Sequence, residues 1–230
     1  PAGRLSNYDN KATHWNRLHQ SANTISWASL DTWVANAKAA GLSKGLYVLY
    51  GTPQFLAMSG GSTAAPYGST GILAGGGAYP AYGDASLTQL TYFCTQLAIR
   101  NKTVYGGFFD RISLWNEPIF TENPSASNFW WGTRAQFVDT LYTAYAAFKA
   151  ADPGLIIAGP GTFSVIDSNS GLNQWISQAG TINSTKRGYD CFNEFASHPY
   201  HARPYGYSGN GDISGLQLGG TLAIQAALNG

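Results

Sequence analysis

Apolar residues along this chain fall into two spacings that take turns. From Leu30 to Ala40 (LDTWVANAKAA) they recur at helical intervals and stop at Gly41, which predicts a helix with a glycine end. Gly45 to Tyr50 (GLYVLY) is a short continuous apolar run broken by "GTP", which predicts a buried strand. The pairing then repeats. Leu87 to Arg100 predicts a helix and Ile112 to Trp115 a strand. Arg134 to Ala150 predicts a helix with Phe137, Leu141, Tyr145 and Phe148 on one stripe, ended by "DPG". Leu155 to Ala158 (LIIA) predicts a strand stopped by "GPG". Leu172 to Ala179 predicts a helix, Asp190 to Ser197 a strand, and Leu218 to Leu228 a last helix. Between them, Ser59 to Gly83 is glycine-rich and polar, and predicts a long loop.

Regular alternation with strands apolar on both faces is the pattern of parallel strands covered by helices. A closed barrel and an open doubly wound sheet both fit it. Neither GxGxxG nor GxxxxGK[ST], the glycine patterns of nucleotide-binding sheets, occurs, so the barrel is favoured. No internal repeat or linker divides the 230 residues, a length that one α/β barrel domain accommodates. The expected fold is therefore a (β/α)8 TIM barrel, with residues 1–230 in a single domain.

Composition narrows the partners. Charged residues make up only 11%, under half the usual share of about 25%, while the chain holds 28 Gly, 7 Trp, 14 Tyr and 11 Phe. A net charge of +1 with no basic run argues against nucleic acid. No segment approaches the roughly 18 consecutive apolar residues needed to cross a membrane. Few lysines, many aromatics and Asn/Gly/Ser-rich loops suit a secreted protein, extracellular or periplasmic. No signal peptide is visible, so the chain is expected to be mature or trimmed. Cys94 falls in a predicted helix and Cys191 in a predicted strand, which favours two buried thiols over a bridge. Asn101-Lys102-Thr103 and Asn183-Ser184-Thr185 match the glycosylation acceptor pattern, one that arises often by chance.

The unusual short motifs all fall where strands end: "GTP" at 51–53, "NEP" at 116–118, "GPG" at 159–161 and "HPY" at 198–200. In barrels the C-terminal strand ends carry the chemistry. A carboxylate there is half-buried and still reaches a ligand. Pro118 has no N–H to donate, so it ends the ladder, and it biases Glu117 towards extended geometry.

"WNEP" after an apolar strand resembles the acid/base motif on the fourth strand of clan A glycoside hydrolases. The wider pattern is most similar to glycoside hydrolase family 39 and its cellulase-like relatives. It is carried by "ISWASLDTWVANAKAAG" (25–41), "LYVLYGTPQF" (46–55), "SLWNEP…FWWGT" (113–133), "AAFKAADPGLIIAGPG" (146–161) and "FASHPY" (195–200), and it runs from about Gly3 to the last helix. The resemblance implies that Glu117 is the general acid/base, protonating the glycosidic oxygen and then deprotonating water. That role needs a pKa near the working pH, which partial burial beside Trp115 would supply. It implies that Asn116 hydrogen-bonds the sugar 2-OH, a contact that strengthens in the transition state. His198 and Tyr200 would line the site from one face of a strand, and Arg4 would match an arginine near the nucleophile.

A retaining glycosidase needs a second carboxylate about 5–5.5 Å from the first. The family's nucleophile is a glutamate ending strand 7, and this chain has only Glu117, Glu122 and Glu194. Glu122 is expected to be solvated in the loop after the acid. Glu194 would sit roughly 13 Å below His198 at about 3.3 Å per residue, as a buried ion-pair partner. Mapped onto the family, "GRLS" resembles strand 2 and "TLAIQAALNG" the helix before strand 7, so strands 2 to 6 are represented. These residues are thus expected to be part of a longer chain, with the nucleophile beyond Gly230.

The remaining aromatics offer sugar-stacking surfaces. Trp130 and Trp131, after the acid, are candidate platforms, with one of the pair alternatively packing under the loop. Trp115 is placed with them as a substrate-binding residue. Tyr79, Tyr82, Tyr205 and Tyr207 read as loop anchors, and Trp27 and Trp33 as core. His14, His19, His198 and His201 match no metal spacing such as HExxH, and no GxSxG elbow occurs. No cofactor or metal is expected. The expected activity is retaining hydrolysis of a β-linked oligo- or polysaccharide. A glycan-binding pseudoenzyme, and an inverting hydrolase with a distant base such as Asp167, remain open.

Overall fold

The computed structural model describes residues 5–53, 55–56, 84–118, 120, 130, 133–161 and 174–196. The central feature is a parallel sheet of four strands: β1 (Leu5–Ser6), β4 (Gly45–Leu49), β5 (Phe109–Leu114) and β6 (Ile156–Ala158). Glu194 extends it by a parallel bridge to Ala158. Strands lie side by side in the order in which they occur in the chain. A doubly wound sheet reverses that order at a switch point, and a barrel does not. A small antiparallel hairpin, β2 (His19–Ser21) and β3 (Thr24–Ile25), is inserted after β1 and the short helix α1 (Trp15–Leu18). A closed barrel is not among the described residues, whereas the singly wound parallel α/β sheet is.

The three long helices form where the apolar spacing places them. In α2 (Ala28–Ala39), Leu30, Val34 and Ala37 are buried on one stripe. Its end is built by Gly41 at φ +84°, with Gly41 N–H donating to Lys38 C=O at 2.9 Å and Leu42 N–H to Ala37 C=O at 3.1 Å. This pair of bonds satisfies carbonyls that the last turn leaves open, and the left-handed residue it needs is one that glycine adopts without strain. The helix α3 (Asp84–Thr103) buries Leu90, Phe93, Cys94 and Leu97. In α4 (Arg134–Ala151), Thr133 and Gln136 form a reciprocal capping box, and Phe137, Leu141, Ala144 and Phe148 are buried.

Alternation along the strands sorts two faces. Tyr47, Leu49, Ile112, Leu114 and Ile157 are all within 2% of full burial and join the core under the helices. Leu46, Val48, Arg111, Ser113 and Ala158 line the opposite face. An irregularity pairs Gly45 with Phe109 but Leu46 with Arg111, which skips Asp110. The skipped residue lets Phe109 and Ile112 both face the helices, Phe109 stacking on Trp33 at 5.9 Å. Trp27 and Trp33 are partly buried against this core, as expected of core residues.

Two expected elements differ. Gln174 has 3-10 geometry and residues 175–177 form a turn rather than an α-helix, and Ala179 pairs antiparallel with Arg187. The expected strand over 190–197 is a 3-10 turn, Gly188–Cys191, followed by the single bridge at Glu194. Tertiary contacts decide both, because Trp175, Ile176 and Cys191 are all buried through loop packing rather than through a periodic face. The loop at 59–83 and the helix at 218–228 lie outside the described residues. Cys94 and Cys191 are both buried free thiols.

Candidate active site

Glu117 stands just past the C-terminal end of β5, and its surroundings follow from an unusual backbone. Trp115 has φ +74° and Glu117 φ +41°. Side chains other than glycine avoid this region, and such residues gather where the surrounding structure holds them in place. Here the holding bonds are explicit. Trp115 N–H donates to Leu49 C=O of β4 at 2.9 Å, and Glu117 N–H donates to Gly161 C=O at 2.7 Å. In a regular strand residues 115 and 117 would direct their N–H groups to the same side. The left-handed residues turn them to opposite neighbours, one on the β4 side and one on the β6 side. The expected extended geometry of Glu117 is therefore overturned, since these tethers outweigh the local preference imposed by Pro118.

Asn116, between the two, pairs in parallel with Gly161 and is 5% exposed. Its Nδ2 donates to the hydroxyl of Tyr8 at 2.9 Å. Tyr8 follows β1 and stacks on His14 at 5.7 Å and edge-on to Tyr50 at 5.6 Å. His14 Nε2 meets Tyr8 C=O at 2.8 Å, and burial holds this imidazole below its usual range. The "GPG" segment closes the other side. Ser113 Oγ donates to Gly159 C=O at 3.2 Å, and a Cβ on Gly159 would crowd the Phe192 ring at 3.2 Å. "GTP" has a structural part, for a Cβ on Gly51 would meet the Asn16 carboxamide at 2.8 Å and Thr52 is fully buried.

Asn116 and Glu117 share a cavity of about 750 Å3 with Tyr8, Asp9, Arg111 and Glu194. Arg111 Nε donates to Glu194 Oε2 at 2.8 Å, and the same guanidinium bonds Asp110 at 3.0 Å. The expected ion-pair role of Glu194 stands, but its burial does not, because the side chain is 44% exposed on the cavity wall. Carboxylates, carboxamide and hydroxyls on one wall suit a polyhydroxylated ligand. Among the described residues no group of three His, Cys, Asp or Glu side chains is placed to hold a metal ion. No described helix is long and apolar enough to cross a membrane.

The structure moves two expected substrate contacts into the core. Trp130 is 1% exposed, edge-on to Trp115 at 5.1 Å and to Phe137 at 4.9 Å, with Nε1 donating to Thr133 C=O at 3.1 Å. Trp115 is also 1% exposed and packs against Tyr50. Both rings are buried rather than open at the surface. Their aromatic bulk anchors the "WNEP" segment and α4 to each other. Asn101, in an acceptor pattern for glycosylation, is 2% exposed, and its carboxamide is spent on both backbone groups of Phe109. Arg4, Glu122, Trp131, Asp167, His198 and Tyr200 lie outside the described residues. Tyr8 and Asp9 are wall residues that no sequence motif singled out.

No protein-family model and no curated protein matches the sequence. Among solved structures, similar ones include a glucosidase from Croceicoccus marinus (TM-score 0.43, 19% identity, 64% of this chain). The catalytic domain of GH30 xylanase C from Talaromyces cellulolyticus (TM-score 0.44, 17% identity) covers 85% of this chain. A beta-1,4-D-mannanase from Cryptopygus antarcticus (TM-score 0.39, 12% identity) covers 74%. The chain spans 25%, 42% and 60% of these three proteins respectively, each of them a glycoside hydrolase.

Proposed function

We propose that this chain contributes strands 2 to 6 of a (β/α)8 barrel and acts as a retaining glycoside hydrolase on a β-linked oligo- or polysaccharide. The observation that carries this reading is Glu117 at the C-terminal end of a central parallel strand. Bonds to both neighbouring segments hold it there, and it shares a cavity wall with Asn116. The clan A resemblance of "WNEP" supports it from the sequence. In the mechanism Glu117 protonates the departing glycosidic oxygen while a second glutamate attacks the anomeric carbon. Glu117 then takes a proton from water as it hydrolyses the glycosyl-enzyme. Asn116 bonds the sugar 2-OH, while His198, Tyr200, Trp131 and Arg4 complete the site. A secreted or periplasmic setting fits the composition.

The test is hydrolysis of aryl β-glycosides by wild type and Glu117→Ala. Loss of an acid/base group costs about 10²–10⁴-fold, and most for poor leaving groups, which depend on protonation. Undiminished turnover of a poor-leaving-group substrate would sink the assignment. The first product should keep the β configuration by NMR. Glycan binding without any cleavage would instead favour the binding-protein reading.

A further inference from the structure

The Tyr8 hydroxyl and the Asn116 carboxamide meet across 108 positions of sequence. Everything around Tyr8 fixes where that hydroxyl stands. Its N–H donates to Ser6 Oγ at 3.1 Å and its C=O accepts from His14 Nε2 at 2.8 Å. Its ring packs against both His14 and Tyr50, which also touch each other, and Tyr50 packs on Trp115, the residue before Asn116. A carboxamide carries two N–H donors on one rigid plane. The Tyr8 contact takes one of them and so sets the direction of the other. Backbone bonds place the Asn116 main chain, and the side-chain plane is set by Tyr8.

We propose that Tyr8 is a positioning residue for the glycosidase reaction, aiming the remaining Asn116 N–H at the sugar hydroxyl beside the reacting carbon. This rests on the glycosidase reading given above. The role assigned to Tyr8 acts through Asn116 and involves no proton transfer by Tyr8. Removing its hydroxyl leaves the ring in its frame, so the fold is kept while the aim of the carboxamide is lost. Because the 2-OH contact tightens in the transition state, the loss belongs in kcat more than in KM.

The experiment compares wild type, Tyr8→Phe, Asn116→Ala and the double variant on an aryl β-glycoside and on its 2-deoxy counterpart. Tyr8→Phe is expected to lower kcat on the parent glycoside by about tenfold, the scale of one neutral hydrogen bond, with KM little changed. The penalty is expected to vanish on the 2-deoxy substrate and in the Asn116→Ala background. The ratio of rates on the two substrates is internal to each variant, so partial misfolding cannot imitate it. An equal penalty on both substrates, or full additivity with Asn116→Ala, overturns the role of Tyr8. If Glu117→Ala is inactive and Tyr8→Phe keeps the wild-type ratio, Tyr8 alone falls. A wild type that cleaves neither glycoside removes the glycosidase reading and this role with it.

Discussion

His19 shows how much a single ring can tie stability to pH. It is 1% exposed, its Nδ1 accepts from Trp15 Nε1 at 3.1 Å, and it stacks on Phe93 at 5.8 Å. Burial pushes its pKa from the usual 6.5 down to about 4. Between those values the unfolded chain takes up a proton that the native ring refuses, since protonating Nδ1 would break the bond from Trp15. Stability therefore falls as pH drops from 6.5 towards 4 and stops falling below it, by on the order of 3 kcal/mol. His14 is shifted in the same direction, also by burial first. Urea unfolding of wild type and His19→Gln at pH 7 and pH 4.5 checks this. The variant should lose less between the two conditions, and equal losses would refute the assignment.

Among the elements, α4 is the organiser, because it reaches beyond the sheet to hold a loop. Asp139 on α4 is fully buried and accepts backbone N–H bonds from Thr181, Ile182 and Asn183 at 2.8 to 3.1 Å. Gly180 sits so close that a Cβ would collide with Asp139 Oδ1. Asp139→Ala would strand three N–H groups and should cost about 3 kcal/mol or more, read as a lower urea midpoint. A change below about 0.5 kcal/mol would mean that water replaces the carboxylate at no net cost. This loop also shows what a sequence conceals. Helices α2, α3 and α4 were legible because each buries a stripe at its own period. The 174–191 region was not, since Trp175 and Cys191 are buried by a turn hung on Asp139 and carry no period of their own. At the site, the place of Glu117 at a strand end could be read from "WNEP". Its positive φ could not, because the deciding partner, Gly161, lies beyond the whole of α4. Tyr8 leaves no local signal at all.

For the molecule as a whole, the sheet grades from centre to edge. β4 and β5 are each paired on both sides, while β1 is two residues long and pairs only with β4 among the described strands. Amides of Tyr47, Leu49, Ile112 and Leu114 should therefore exchange with solvent most slowly, and those of β1 much faster. Native-state hydrogen exchange measures this directly, and uniform protection across the sheet would contradict it. The tether from Glu117 to Gly161 adds a consequence for the order of events during synthesis. A nascent chain emerges from the ribosome with Glu117 well ahead of Gly161, and for that interval the Glu117 N–H lacks the Gly161 carbonyl that it bonds in the folded chain. The "WNEP" segment completes its shape only after α4 has been made and β6 has docked. The left-handed backbone at Glu117 is thus among the last features this part of the chain acquires, and the growing polypeptide passes through a stage in which that strand end is still unformed.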